Sequence, residues 1–265
     1  MMDRLLLVGC GKMGGALLTG WLDRSAAAAY DVVEPGASPV PADPRIQHHT
    51  SIDTVHSAPD VIVLAVKPQS MDAVLPGIAP LAAHRPLVLS VAAGKTIAYF
   101  EAAFGPTTPI VRAMPNTPAA IGQGASVLAA NLPVTGPLQA LATGLMKAAG
   151  TVDWIRDEGL MDAVTALSGG GPAYVFLLIE AMTKAGVASG LPAELAGRIA
   201  RQTVIGAGAL AAASDEPADQ LRRNVTSPKG TTEQALKVLM AGDGVQPLFD
   251  RAIAAATARS RELAG

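Results

Sequence analysis

The chain has 265 residues, enough for one large domain or two modest ones, and its 50% hydrophobic content is ample for a core. Aromatics are only 3%, so that core has to be Ala, Val, Leu and Ile packed closely around many small residues. The formal net charge of −2, with no basic stripe, argues against a nucleic-acid partner, and the single cysteine, Cys10, excludes an intrachain disulfide framework.

The four histidines, His48, His49, His56 and His84, stand in no ligand spacing with cysteine, so no metal site is expected. The longest apolar stretches, such as residues 204–213, are shorter than a bilayer crossing requires. The short apolar run after Met1-Met2-Asp3-Arg4 lacks the long hydrophobic segment of a secretory leader. A cytoplasmic setting without a membrane partner is expected.

The first element in chain order is a strand at Leu5-Leu6-Leu7-Val8, a continuous apolar run of the kind buried on both faces. Gly9-Cys10-Gly11-Lys12-Met13-Gly14 follows, then apolar positions at helical spacing: Ala16, Leu17, Leu18, Trp21 and Leu22. Strand, glycine turn and helix in this order predict a dinucleotide site. Gly9 permits the tight turn, Gly11 lets a pyrophosphate approach the backbone, and Gly14 lets helix and strand pack closely. Ala26-Ala27-Ala28-Ala29 reads as a helix end. A second strand, Asp31-Val32-Val33, ends at Glu34, 25 positions beyond Gly9. A carboxylate there accepts from a ribose 2′-OH and repels a 2′-phosphate, which leans toward NADH; the alternative turns Glu34 to solvent beside Pro35. Three further strands are predicted over residues 61–66, 87–91 and 110–112. They lead into Lys67-Pro68-Gln69, Ala92-Ala93-Gly94 and Met114-Pro115-Asn116-Thr117-Pro118. In a doubly wound sheet the ligand crevice lies at such carboxyl ends. Lys67 and Asn116 are candidate contacts, or simply turn residues.

Beyond about Asp157 the pattern turns helical. Helices are predicted over residues 159–167 and 173–186, from Leu191-Pro192 through Leu210, and over residues 244–263. Gly169-Gly170-Gly171-Pro172 breaks the chain between the first two. Helices apolar on several sides need a partner, so a helical homodimer interface is expected. Between the last two lies a hydroxyl-rich loop, Asn224-Val225-Thr226-Ser227-Pro228-Lys229-Gly230-Thr231-Thr232-Glu233-Gln234. A helix start offers free N–H groups and a positive dipole end to an anion, and Ser227, Thr231 and Thr232 add hydroxyls. Thr231 with Gln234 also fits a capping box, which would contribute about 1 kcal/mol without any ligand. Both readings can hold, because Ser227 and Thr232 are surplus to a cap.

Taken together the motifs resemble the pyrroline-5-carboxylate reductase family over nearly the whole length. The most specific are Ala166-Leu167-Ser168-Gly169-Gly170-Gly171-Pro172-Ala173-Tyr174 and Asn224 through Thr232. The resemblance implies an α/β plus all-α chain: an N-terminal Rossmann-type doubly wound sheet over residues 1–157, then a helical dimerisation and substrate-binding domain over residues 158–265. It implies NAD(P)H-dependent reduction of 1-pyrroline-5-carboxylate in proline synthesis, by a homo-oligomer built from interlocked dimers. The active site would join the nicotinamide of one subunit to the hydroxyl loop of the other. In this numbering Ser227 and the Thr231 N–H would bind the substrate carboxylate beside Gly230, and Thr232, the catalytic residue, would hydrogen-bond the ring nitrogen. Gly9 to Gly14, Glu34, Ala65-Val66-Lys67-Pro68, Ala92-Ala93-Gly94 and Asn116 would surround the cofactor. The chain departs from relatives at Gly170, where many carry Ser, and at Lys229, where Gly is frequent. Ile52 replaces an Asn of some relatives, and Glu34 is unusual for a family often using NADPH. A related β-hydroxyacid or imine dehydrogenase fits less well, because Lys184 has no matching Asn and reads as a surface residue. A non-catalytic dinucleotide sensor leaves the hydroxyl loop without a role.

Overall fold

The structure, a computed structural model, describes residues 2–36 and 39–264. The chain forms two compact units, Met1–Gly169 with Ala256–Gly265, and Gly170–Ala255.

The first unit is built on one eight-stranded sheet. Its strands are β1 (Met2–Val8), β2 (Ala27–Val33), β3 (Ile46–His49), β4 (Val61–Leu64), β5 (Leu87–Ser90), β6 (Ile110–Met114), β7 (Gly124–Ala130) and β8 (Gly150–Trp154), in the order β3-β2-β1-β4-β5-β6-β7-β8. All pairings are parallel except β6 with β7. The first six strands therefore follow the doubly wound 3-2-1-4-5-6 order, with β7 and β8 appended. Side chains alternate across the pleat, so Leu5 and Leu7 join one core layer and Leu6 and Val8 the other. The first layer packs α1 (Lys12–Asp23) and α4 (Gly136–Met146) through Leu17, Leu18, Trp21, Leu145 and Met146. The second packs α2 (Met71–Ile78) and α3 (Ile97–Phe104) through Met71, Leu75, Ile78 and Phe100.

Strands β3, β7 and β8 and helices α3 and α4 of this unit carried no sequence expectation. Three of the four alanines expected at a helix end instead open β2, where Ala27 pairs with Met2 and Ala29 with Arg4. Alanine's helix preference is worth tenths of a kcal/mol and yields to a sheet edge that needs a partner.

The segment expected as one helix over residues 159–167 is three geometries in series: a 3₁₀ turn Glu158–Leu160, α5 (Met161–Val164) and a π turn Thr165–Gly169. Met161 is buried in the second core layer, and Arg112, itself buried, pairs with Glu158 at 2.8 Å. Residues 158–169 thus stay with the sheet, whereas the expected division fell at residue 157. The end of the last helix, α10 (Val245–Ala264), also belongs here, tied by the Ser260 hydroxyl to Asp162 at 2.7 Å.

The second unit holds α6 (Gly171–Ala188), α7 (Ala193–Ala212), α8 (Ala218–Asn224), α9 (Thr231–Leu239) and the first part of α10. Gly186 of α6 lets Ala196 of α7 come close: a β-carbon there would lie 3.2 Å from the Ala196 Cβ. Little else is enclosed. No α6 residue is buried, and Phe176 and Leu177 are 60% and 61% exposed. The expectation that no stretch is long enough to cross a bilayer needs correction. The helical run Glu158–Ala188 has 31 residues and contains an 18-residue window of mean hydropathy 1.3, long and apolar enough for a crossing by length and composition alone. The sequence reading broke this run at Gly169 to Pro172, and a bend at Gly170 separates the π turn from α6. Exposed apolar surface of this extent marks an interaction face.

Candidate active site

The parallel register brings the carboxyl ends of β1, β4, β5 and β6 together: Val8 lies opposite Leu64, Leu64 opposite Ser90, and Ser90 opposite Arg112. Each loop named from sequence therefore leaves the same edge of the sheet. Gly9, at φ +95°, makes the turn out of β1, and a β-carbon on it would lie 2.8 Å from the Ala65 backbone. A β-carbon on Gly14 would lie 2.1 Å from the Gly9 carbonyl oxygen, so only glycine lets α1 start this close to the turn. A β-carbon on Gly11 would meet nothing within 4 Å. Gly11 is the N-cap of α1, with no side-chain cap and no acidic residue in the first turn. The free N–H groups and positive dipole end of α1 therefore face open space, the arrangement that receives a phosphate.

That space is a cleft of about 610 Å³, lined among others by Gly9, Gly11, Glu34, Ile52, Asp53 and Lys67. Ala65 and Val66 complete its floor. Glu34 is not turned to solvent. One carboxylate oxygen accepts from the Cys10 N–H at 2.8 Å and the other from the Gly36 N–H at 2.8 Å. The Glu34 N–H is itself held by the His49 carbonyl at 2.9 Å, and a His48 ring nitrogen lies 2.9 Å from the Glu34 carbonyl. Burial pushes the Cys10 thiol up from its ordinary range, and the negative charge of Glu34 adds to this. Cys10 is accordingly a packed residue of the turn, not a nucleophile.

The other residues expected at the cofactor fall just outside the described cleft walls. Lys12 and Met13 open α1, and Pro68 opens a 3₁₀ turn behind Lys67. Ala92, Ala93 and Gly94 follow β5, with the Ala92 N–H on the Ser90 hydroxyl at 3.2 Å. Asn116 is committed within the fold. Its Oδ1 accepts from the Ala125 N–H at 2.9 Å, and its Nδ2 reaches the Ser168 carbonyl and hydroxyl, each at 3.3 Å. It ties the end of β6 to the π turn. Beneath β2 lies a polar network that sequence reasoning missed. Asp31, 1% exposed, bonds His49 at 2.9 Å, Arg4 at 2.9 Å and the Ser57 hydroxyl at 2.6 Å. His49 in turn meets the Thr54 hydroxyl at 2.8 Å, which braces the loop carrying Ile52 and Asp53.

The second unit presents the hydroxyl loop. Asn224 is engaged by Gln220 at 2.7 Å and Glu216 at 2.8 Å, and the Thr226 hydroxyl caps the Arg222 carbonyl at 2.6 Å. Ser227-Pro228-Lys229-Gly230 is a tight turn, closed by the Gly230 N–H on the Ser227 carbonyl at 3.0 Å, with Lys229 at φ +60°. Gly230, not Thr231, is the N-cap of α9, and the N3 residue is Glu233, whose carboxylate reaches back to the Lys229 N–H. The expected Thr231–Gln234 capping box is thus shifted by one residue, because the turn's fourth position sets the helix start. The shift leaves Ser227, Thr231 and Thr232 exposed, and among the described residues their hydroxyls have no partner. The N–H groups of the first turn of α9 stand beside them.

A doubly wound sheet, a three-glycine turn and an acid-lined cleft at the strand ends define a dinucleotide-dependent oxidoreductase. Comparisons narrow this class. A family model described as NADP oxidoreductase, coenzyme F420-dependent, matches residues 4–94, and one described as pyrroline-5-carboxylate reductase dimerisation matches residues 158–263. A pyrroline-5-carboxylate reductase of Pseudomonas aeruginosa is 43% identical over 98% of this chain and 97% of its own length. A solved pyrroline-5-carboxylate reductase from Coxiella burnetii superposes with a TM-score of 0.91 at 34% identity, covering all of both chains. The Plasmodium falciparum pyrroline carboxylate reductase, solved with NADP bound, gives 0.82 at 30% identity over 99% of this chain and 98% of its own. The chain belongs to the pyrroline-5-carboxylate reductase family.

Proposed function

We propose that this chain reduces the C=N bond of 1-pyrroline-5-carboxylate to give proline, with NAD(P)H as reductant. The supporting observation is the α9 entrance, where three unpartnered hydroxyls and free N–H groups stand on a rigid turn. Reduced nicotinamide supplies the hydride when bound. Gly9, Gly11 and the start of α1 hold the pyrophosphate, and Glu34 takes the adenine-side ribose. Ala65 to Pro68, Ala92 to Gly94 and Asn116 shape the nicotinamide end, Asn116 by fixing the loop after β6.

Ser227 and the Thr231 N–H bind the substrate carboxylate. Gly230 keeps this approach clear, since a β-carbon there would lie 3.0 Å from the Ser227 carbonyl oxygen. Thr232 meets the ring nitrogen. The imine carbon is most electrophilic when that nitrogen is protonated or strongly hydrogen-bonded in the transition state. A threonine hydroxyl is a weak acid, so Thr232 orients the nitrogen and relays a proton. Holding the ring by its carboxylate presents one face to the hydride donor, and such orientation supplies much of the acceleration.

The exposed apolar faces of α6, α7, α9 and α10 pair with a second copy in interlocked dimers, so that the loop of one subunit serves the cofactor of the other. Gel filtration giving a monomer mass at micromolar concentration would remove this part. The catalytic reading is tested by steady-state oxidation of NADH and NADPH with 1-pyrroline-5-carboxylate. Thr232→Ala should lower kcat about a hundredfold, while Ser227→Ala should mainly raise KM. Full kcat in the Thr232 variant contradicts the assignment.

A further inference from the structure

The geometry points to a cofactor preference: we infer that this chain selects NADH over NADPH through two fixed carboxylates, Glu34 and Asp53, that flank the adenine-side ribose. The inference rests on the dinucleotide-binding part of the proposed function. Glu34 is latched at both oxygens, by the Cys10 and Gly36 N–H groups at 2.8 Å each. A carboxylate offers about four lone-pair sites. Two are used by the latches, and the remaining two are free to accept from ribose hydroxyls. Because the latches hold the group on the glycine turn, it cannot swing aside for a larger substituent.

Asp53 lines the same cleft and is fixed as well. Its Oδ2 accepts from the Ser51 hydroxyl at 3.0 Å, and its N–H donates to the Ser51 Oγ at 3.3 Å. Among the described cleft residues Lys67 is the single cation, and it leaves the sheet after β4, on the other side of β1 from Glu34. The arginine of the neighbouring loop, Arg45, is spent on Asp43, which it grips at 2.9 and 2.8 Å. A 2′-phosphate would therefore meet two anions and no guanidinium. Ile52, which lines the same cleft, adds an apolar wall suited to the adenine and no side-chain donor for a phosphate.

A doubly charged phosphate about 5 Å from one carboxylate is disfavoured by roughly tenfold even at a water-like dielectric. The test measures kcat/KM for both dinucleotides with 1-pyrroline-5-carboxylate. It also measures their dissociation constants by fluorescence titration without the imine. Wild type should favour NADH by at least about tenfold in both readouts. Glu34→Ser should cut that ratio about tenfold or more, by weakening NADH and strengthening NADPH. Asp53→Asn, which leaves the glycine turn intact, should strengthen NADPH about threefold and so narrow the ratio. Equal or tighter NADPH binding by wild type overturns the inference, whether or not Glu34→Ser folds. Selective NADH binding without turnover of the imine would instead fail the reductase reading and leave the selectivity standing.

Discussion

Replacing Lys229 with glycine should make this protein more stable while making it a poorer binder of its substrate. Lys229 occupies the third position of the Ser227–Gly230 turn at φ +60°. The left-handed region costs a residue with a β-carbon about 1–2 kcal/mol. Glycine removes that strain but adds unfolded-chain freedom worth about 0.5–1 kcal/mol. The net expected gain is about 0.5–1 kcal/mol, or a Tm rise of about 1–3 °C in a chain this long. Lys229→Ala is the control, because it keeps the β-carbon and loses the ammonium, so it should gain nothing. Thermal unfolding of all three proteins at one concentration makes the comparison, since assembly also shifts Tm. In the enzyme assay both variants should raise the KM for the imine acid alike, up to about fivefold, because both lose a cation at the turn proposed to bind the substrate carboxylate. A glycine variant no more stable than wild type, or an alanine variant that gains as much, would refute the strain argument.

Gly14→Ala pushes a β-carbon to within 2.1 Å of the Gly9 carbonyl oxygen, so it should cost about 1–3 kcal/mol and weaken dinucleotide binding in a fluorescence titration. Asp31 should make the fold acid-sensitive. Burial pushes its carboxyl up, but hydrogen bonds from Ser57, His49 and Arg4 outweigh this and hold it below the ordinary 3.8. Its stabilisation is therefore present above about pH 4 and lost as pH falls through the depressed native value. Asp31→Asn should flatten that acid limb in urea titrations and cost about 3 kcal/mol at neutral pH, because Arg4 loses its counter-charge; an unchanged acid limb would contradict the network. The Ser126 hydroxyl is buried with no partner among the described residues, so Ser126→Ala should be neutral or stabilising by about 1 kcal/mol in chemical denaturation, and a clear loss would reveal an interaction not seen here.

The sheet was legible where strands are buried on both faces, because such strands must be continuous apolar runs. β1, β4 and β5 read that way, and the three glycines of the turn from β1 into α1 could be assigned separate steric roles from spacing alone. Edge and polar strands were not legible. β3 contains Gln47, His48 and His49, and β7 begins Gly-Ala-Ser, so neither shows a strong apolar run. The Asp31 network and the commitment of Asn116 to Ala125 and Ser168 escaped for a different reason. Their partners lie 9 to 52 positions apart in sequence and meet only through the sheet register. The hydroxyl loop was found as a cluster but one residue out of phase, since propensity favours Thr at an N-cap while the turn geometry gives that place to Gly230.

The second half poses a sharper question, because its apolar sequence exceeds the core that one chain provides. In the first unit, residues spaced for burial are buried: Leu17, Leu18 and Trp21 of α1 are all at 0% exposure. In the second, α6 carries Val175, Phe176, Leu178 and Met182 at helical spacing, yet buries none of them. Local pattern and single-chain packing agree in one half and conflict in the other. A minimally frustrated sequence resolves such a conflict by a further packing partner. At roughly 25 cal/mol per Å², covering these faces would stabilise the helices far more than their own propensities do. The periodicity of residues 171–264 therefore encodes an assembly, and the α9 entrance is carried on those same helices.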